Sequence, residues 1–195
     1  MRIFLTLLLA YGIGSFSSAY FIGRVFKNID IRKYGSGNAG ATNAIRVMGN
    51  KLGIVTFLLD VLKGIIVVLV SRAILGDMGG YIGGFAAVIG HNWPIFIGFK
   101  GGKGVATSLG VIFILHWPTA IICLLLGMVI FLITRYVSLG SILFLSSTPI
   151  VNAIITKEFN KMFFITTLFL ALLAIYRHKA NFQRLFNGTE NKFGR

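Results

Sequence analysis

Hydrophobic residues run through this chain in long blocks, with neither the alternation of a half-buried strand nor the single apolar stripe of a surface helix. Seven apolar stretches stand out, at 3–22, 52–71, 79–97, 105–116, 119–134, 139–156 and 162–176. Most approach the ~20 residues a helix needs to cross a bilayer. The pattern predicts an all-α integral membrane protein, a single bundle of seven transmembrane helices forming one membrane-embedded domain over 1–195. The fourth stretch is short and bounded by His116-Trp117-Pro118. Together with the fifth it reads alternatively as a re-entrant hairpin, leaving five full spans.

Composition agrees with the pattern: 56% of residues are hydrophobic and 12% charged, and the mean hydropathy is +0.85. A soluble fold with one buried core is excluded. The net charge of +14 is of the kind that nucleic-acid binding uses, but the arrangement of the charges argues against it. If the spans alternate, one side receives Arg24, Lys27, Arg32, Lys33, Arg46, Lys51, Lys100, Lys103, Arg135, Arg177, Lys179, Arg184, Lys192 and Arg195, and the other only Arg2, Arg72, Lys157 and Lys161. The bias of positive loops towards the cytoplasm then puts the N-terminus outside, the C-terminus inside, and the protein in the plasma or inner membrane. Arg2 ahead of an apolar run ending at Ser17-Ser18-Ala19 resembles a signal peptide, and the basic residues that follow favour an uncleaved anchor.

The same parity gathers the polar clusters on the cytoplasmic side. The first is Gly35-Ser36-Gly37-Asn38-Ala39-Gly40-Ala41-Thr42-Asn43, with Arg46 three residues on. Glycines allow successive backbone N–H groups to face an anion, and Ser36, Asn38, Thr42 and Asn43 add side-chain donors. The alternative is a capped turn before the second span. The second cluster is Lys100-Gly101-Gly102-Lys103-Gly104, which opens the fourth stretch with Thr107 and Ser108 in its first turn. A glycine turn with a lysine at a helix start is a phosphate site in kind. It is no Walker A loop, because Ile97 stands where the first glycine belongs and Gly104 where Ser or Thr is required. Its lysines also read as topogenic charges. Ser138 and Ser141 follow the fifth span, and His178 and Asn181 the seventh.

Two polar groups lie deeper. Asp60 and Lys63 are three apart on one helical face, which predicts a mutual ion pair, structural or catalytic. His91-Asn92-Trp93-Pro94 precedes the Lys103 cluster; a kink is expected at Pro94, and His91 reads as a hydrogen-bonding residue lining the site. Gly79, Gly80, Gly83 and Gly84 form two overlapping G-x-x-x-G pairs for close helix contact. Cys123 is alone, so no disulfide or thiol chemistry is supported.

Absences narrow the chemistry. The five carboxylates are never at helical spacing from one another, which argues against two-metal phosphoryl chemistry and predicts no metal and no cofactor. No histidine has an aspartate five residues on, since Phe96, Ile121 and Gln183 hold those places, and there is no G-x-S-x-G elbow. An enzyme acting on phosphorylated substrates and a carrier or flippase for a phosphorylated solute both fit the anion cradles. The lack of an internal repeat and the polar residues at one end favour the enzyme.

The Ser36 string with Arg46, Asp60-Val61-Leu62-Lys63-Gly64, Gly90-His91-Asn92-Trp93-Pro94-Ile95-Phe96 running into Phe99-Lys100-Gly101-Gly102-Lys103-Gly104-Val105-Ala106-Thr107, Ser138-Leu139-Gly140-Ser141, Arg177-His178-Lys179-Ala180-Asn181-Phe182-Gln183-Arg184-Leu185 and Gly188-Thr189-Glu190 together resemble the bacterial acyl-phosphate:glycerol-3-phosphate acyltransferase family, PlsY. The resemblance covers nearly the whole chain. It implies transfer of a fatty acyl group from acyl phosphate to the 1-position of sn-glycerol 3-phosphate, giving lysophosphatidic acid and inorganic phosphate, the first step of phospholipid synthesis, in a seven-helix enzyme without metal. It also implies that Ser36 and Arg46 belong to a catalytic string, that the Lys103 loop binds glycerol 3-phosphate, and that His178 and Asn181 form a third active-site segment. Gly37, Asn38, Thr42, Asn43, Lys100, Gly101, Gly102, Gly104, Thr107, Ser141, Arg177 and Arg184 are the further candidates for substrate contact. Asp60, Lys63, His91 and Glu190 are expected in supporting roles. The partners implied are acyl phosphate, sn-glycerol 3-phosphate and membrane lipids, with no nucleic acid.

Overall fold

The structure is a computed structural model that describes residues 1–194; Arg195, counted above among the basic residues of one side, lies outside the described residues. Its regular elements are α1 (Arg2–Gly14), α2 (Ser18–Lys27), α3 (Ala41–Met48), α4 (Asn50–Asn92), α5 (Val105–Leu115), α6 (Trp117–Thr134), α7 (Val137–Ile155), α8 (Lys161–Arg177) and α9 (Lys179–Phe186), with 3-10 turns at Ile31–Lys33 and Ile95–Ile97. The residues cluster into two compact units, Met1–Ile114 and Leu115–Arg195.

The all-helical membrane fold expected from the pattern is present, with four to five segments that qualify as spans by length and composition. Four segments are long and apolar enough to cross a bilayer: Arg2–Lys27, Asn50–Ile97, Trp117–Thr134 and Val137–Ile155. A fifth arises if Lys161–Arg177 and Lys179–Phe186, bent by 53°, count as one. Three local features set how the seven apolar stretches map onto these segments. The first apolar stretch is two helices, because at Ser15-Phe16-Ser17 the Phe16 carbonyl accepts a bond from the Lys63 ammonium at 2.7 Å. The second and third stretches form one continuous element, α4, that reverses at Gly76, whose φ of 65° and ψ of −156° suit only glycine, so that they remain two passes within one segment. α5, at ~1.5 Å per residue, reaches about half the hydrocarbon thickness. Pro94 kinks nothing: α4 has already ended at Asn92, and Pro94 caps the following 3-10 turn.

In the first unit the arms of α4, 50–75 and 77–92, lie side by side. Glycine makes this possible. A methyl group at Gly79 would run into the Ser71 carbonyl, one at Gly83 into the Ser71 hydroxyl, and one at Gly84 into Val111 of α5. α1 packs on the second arm, with Gly14 against the Ala87 backbone and Gly90 against that of Tyr11. α5 packs on the first, with Gly64 against the Thr107 carbonyl and Gly110 against that of Val61. Such backbone approach replaces the hydrophobic driving force that helices lose in lipid. A second cluster, Ala19, Ile22, Ile31, Ala39, Ala44 and Met48, holds α2, α3 and the segment between them.

In the second unit α6 and α7 cross at Gly127 and Gly140, each facing the other's carbonyl. Arg135 turns the chain between them in the left-handed region, φ 62°. The tail returns to this turn: Phe193 N–H donates to the Arg135 carbonyl at 2.9 Å. At the other end Asn152 donates to Thr119 at 3.1 Å. Cys123 is buried and free.

The arm contact predicts the outcome of a simple pair of substitutions. Gly79→Ala forces its methyl against backbone and is expected to lower stability by ~1–3 kcal/mol, seen as a lower unfolding temperature in detergent. Gly12→Ala, with nothing within reach, serves as the control. Equal unfolding temperatures for the two variants would overturn the packing described.

Candidate active site

The Ser36 string is shaped by Asn43. Its side-chain oxygen accepts from Ser36 N–H at 2.9 Å, and its amide nitrogen donates to the carbonyls of Tyr34 at 3.1 Å and Ile31 at 3.3 Å. Asn43 is 1% exposed, so its polar atoms are spent within the loop. Gly35 and Gly37, at φ 59° and 71°, supply the left-handed residues of the turn, and Gly37 N–H closes it onto Tyr34. Ser36 and Gly37 are exposed at its tip, Asn38 and Thr42 half-buried behind it. α3 starts at Ala41, which places Arg46, exposed, one turn beyond Asn43.

The Lys103 loop is folded onto the end of α4. Gly101 and Gly102 donate to the carbonyls of Asn92 at 3.3 Å and His91 at 3.1 Å. Gly102 lies on the His91 ring and Gly104, at φ 79°, on Asn92, so neither position has room for a side chain. Lys103 is half-buried and Lys100 exposed. Thr107 is fully buried, its carbonyl against Gly64. His91 in turn sits on the deep ion pair. Lys63 Nζ donates to Asp60 Oδ1 at 2.9 Å, to His91 Nδ1 at 2.8 Å and to the Phe16 carbonyl at 2.7 Å. An ammonium has three protons and here three acceptors. Nδ1 therefore carries the lone pair, which leaves the proton of a neutral His91 on Nε2, beside Gly102.

In the second unit Glu190 gathers the polar side chains. Its Oε1 accepts from Asn181 at 2.6 Å and Ser138 at 3.0 Å, and its Oε2 from Arg184 at 2.8 Å. Burial pushes this carboxyl up, but the bonds from Asn181, Arg184 and Ser138 outweigh it and hold Glu190 below the usual glutamate range. His178 is 2% exposed at the junction of α8 and α9. Its Nδ1 lies 2.7 Å from the Ala174 carbonyl, which only accepts, so Nδ1 bears the proton. Ser141 and Arg177 are half-buried on α7 and α8. Among the described residues no three His, Cys, Asp or Glu side chains gather at metal-binding distance.

The chain matches the family described as Glycerol-3-phosphate acyltransferase over residues 4–188. The glycerol-3-phosphate acyltransferase of Thermoanaerobacter sp. (strain X514) is 47% identical over 190 residues, 97% of this chain and 95% of that protein. Glycerol-3-phosphate acyltransferase 2 of Thermotoga maritima is 45% identical over 186 residues, covering 95% and 93%. This chain belongs to the glycerol-3-phosphate acyltransferase family. Crystal structures of PlsY (YgiH), an integral membrane glycerol 3-phosphate acyltransferase, are similar throughout at 38% identity: the glycerol 3-phosphate form superposes with a TM-score of 0.92 and the lysphosphatidic acid form with 0.90, each covering 100% of this chain and 96% of the other. The protein is thus an integral membrane enzyme of PlsY type.

For this acyltransferase the sequence reading missed one pair. Asp30 and Arg32 form a two-bond ion pair, Nε to Oδ1 at 2.9 Å and Nη2 to Oδ2 at 2.8 Å, so Arg32 is more than one of the topogenic charges. The signal was available, because any carboxylate is notable in a chain with five, and this one stands two residues from an arginine.

Glu190 gives a prediction with a defined sign. A carboxyl whose folded value is depressed stabilises above its unfolded value and loses that contribution as the pH falls. Glu190→Gln is therefore expected to lower the unfolding temperature in detergent by an amount constant above pH ~5 and shrinking as the pH drops through the carboxylate range. A gap that persists undiminished into acid would refute the role of the charge.

Proposed function

We propose that this acyltransferase takes its acyl group from acyl phosphate and transfers it to the 1-position of sn-glycerol 3-phosphate, giving lysophosphatidic acid and inorganic phosphate, with the whole chain, 1–195, as one acyltransferase domain. The observation that carries the reading is the pair of glycine strings in the first unit, residues 34–43 and 98–104, which present Ser36 and Lys103 and contain no carboxylate. The family and the glycerol 3-phosphate form of PlsY support the acceptor. The donor rests on the sequence resemblance and on chemistry: an acyl phosphate is a mixed anhydride, so the glycerol hydroxyl attacks its carbonyl carbon directly. The new ester C–O bond forms, the bond to the phosphate oxygen breaks, and phosphate leaves with the hydroxyl proton. No covalent enzyme intermediate and no metal is required.

The two substrates bring roughly three to four negative charges. In this reading Arg46, Lys100 and Lys103 of the first unit offset them; Arg177 is the candidate cation of the second unit, where Arg184 is bound to Glu190. Ser36, Asn38, Thr42 and the amide of Gly104 donate to phosphate oxygens and Ser36 steadies the oxyanion on the acyl carbon, while Gly37, Gly101 and Gly102, whose own N–H groups are bonded to carbonyls, let the substrate approach the backbone closely. Ser141 and Asn181 are the candidate donors of the second unit. Asn43 shapes its loop, Thr107 seats α5, and Asp60, Lys63, His91 and Glu190 are supports. His178 positions the acceptor, while the departing phosphate takes the proton.

Purified protein decides between readings. With glycerol 3-phosphate and palmitoyl phosphate, and with EDTA in excess, we expect lysophosphatidic acid and phosphate in equal amounts; palmitoyl-CoA alone gives none. Product only from the thioester would refute the donor, loss of activity in EDTA would refute metal independence, and solute uptake by vesicles without product would favour a carrier. Run across pH, His178→Asn is expected to be slower but to keep the acid limb of the wild-type rate profile. Disappearance of that limb would make His178 the base.

We further propose that both glycine strings face the cytoplasm, with the N-terminus outside the plasma or inner membrane, on the strength of the loop charges. In a Cys123→Ser background, Asn38→Cys should react with an impermeant maleimide only from the cytoplasmic side. Reaction from outside in intact cells would reverse the topology.

A further inference from the structure

Both glycine strings are built from residues with little conformational preference of their own, yet two phosphates must be held at one separation. Arg32 supplies a bond between the segments that bear them. Four residues before Ser36, it donates Nε and Nη2 to the two oxygens of Asp30, and its remaining terminal nitrogen, Nη1, donates to the Ile97 carbonyl at 2.5 Å. Asp30 also accepts from the Arg32 N–H at 3.1 Å, and the guanidinium lies 4.8 Å from the centre of the Tyr20 ring. Such a side chain is fixed in direction, unlike the solvated cation a topogenic charge would be. It is 21% exposed, and its hydrogen bonds hold the Asp30 carboxyl down to about 2, against the effect of burial, so the pair stays ionised at any working pH.

What Arg32 grips matters as much. Ile97 is followed by Gly98 and Phe99, both left-handed at φ 70° and 60°, and a phenylalanine rarely adopts that conformation unless the surroundings impose it. Phe99 N–H bonds back to the Pro94 carbonyl at 2.9 Å, and Arg32 holds the next link of the turn. The Lys103 loop starts from this anchored turn. On the other side, Asn43 binds the Ile31 and Tyr34 carbonyls that flank Arg32 and also Ser36 N–H.

We propose that Asp30 and Arg32 form a clasp that sets the separation of the Ser36 string and the Lys103 loop, which makes Arg32 a positioning residue for acyl transfer. The clasp stands on the geometry alone, and its catalytic consequence rests on the reading of the two strings as substrate sites. Lysine cannot replace it, because one ammonium does not serve both a planar carboxylate and a carbonyl in another direction.

The experiment uses the full chain in detergent, with Arg32→Lys, Arg32→Gln and Asp30→Asn beside the wild type. Spin labels on Asn38→Cys and Lys100→Cys, in a Cys123→Ser background, are expected to give one narrow distance distribution that broadens in every clasp variant. In unlabelled protein, Arg32→Lys is expected to raise KM for glycerol 3-phosphate about tenfold with a smaller change in kcat and an unchanged unfolding temperature. A distribution equally narrow in all variants overturns the clasp. Broadening with wild-type KM overturns the positioning role. Wild-type protein that forms no lysophosphatidic acid refutes the proposed function instead, while the spin-label distances still decide the clasp.

Discussion

The arrangement of the first unit depends on one buried ion pair. Asp60 and Lys63 are 1% and 6% exposed in a segment that would lie in lipid, where an isolated charge is not tolerated. Each is therefore obliged to find partners, and those partners come from separate elements: Ser18 at the start of α2, the Phe16 carbonyl at the break after α1, and His91 near the end of the returning arm of α4. Removing one member of such a group leaves a buried charge uncompensated, at ~3–5 kcal/mol. The pair thereby specifies where α1 breaks and how the two arms of α4 are registered. Apolar contact alone would leave both free to slide, since lipid tails compete equally for an apolar face.

From this polar knot the order passes outward to the loops. His91 is held from below by Lys63 and covered from above by Gly102, and the carbonyls of His91 and Asn92 take the N–H groups of Gly102 and Gly101. The loop thus rests on the end of a helix rather than on a side chain of its own, which is why glycine is required there: any Cβ at Gly101 or Gly102 would strike Pro94, the His91 carbonyl or the His91 ring. In the Ser36 string the bracing is done by Asn43, a side chain that a sequence reading places among possible ligands because asparagine is a donor. Its burial gives it the other use. The second unit shows the same economy, with Glu190 collecting Ser138, Asn181 and Arg184 around one carboxylate.

The helical membrane class, the polar strings and the Asp60–Lys63 pair were legible because each follows from local rules: block hydropathy, glycine with donors, opposite charges three apart in an apolar run. Span boundaries were less so. Hydropathy sums over residues and does not see that Phe16 surrenders its carbonyl to Lys63, although the gap between 71 and 79 did mark the reversal at Gly76. The Asp30–Arg32 pair was hidden for another reason. Counting basic residues by side treats every arginine as interchangeable, whereas the bond from Arg32 to Ile97 spans 65 positions and has no sequence signature.

The distribution of carboxylates unites these points. Of five in the chain, Asp30 is bound to Arg32, Asp60 to Lys63 and Glu190 to Arg184, while Asp77 lies 3.4 Å from Arg72 at an exposed corner and Glu158 is exposed between α7 and α8. Each of the three close pairs fastens one segment to another, and none falls within residues 34–43 or 98–104. A protein with nineteen lysines and arginines has thus spent three of its five negative charges on architecture, and the glycine strings carry cations but no carboxylate of their own. A free carboxylate within either string would repel a phosphate and neutralise the cation meant for it, whereas Asp30, just ahead of the first, is itself neutralised by Arg32. For chemistry between two anions the sparing use of acidic residues is itself a functional property of the fold.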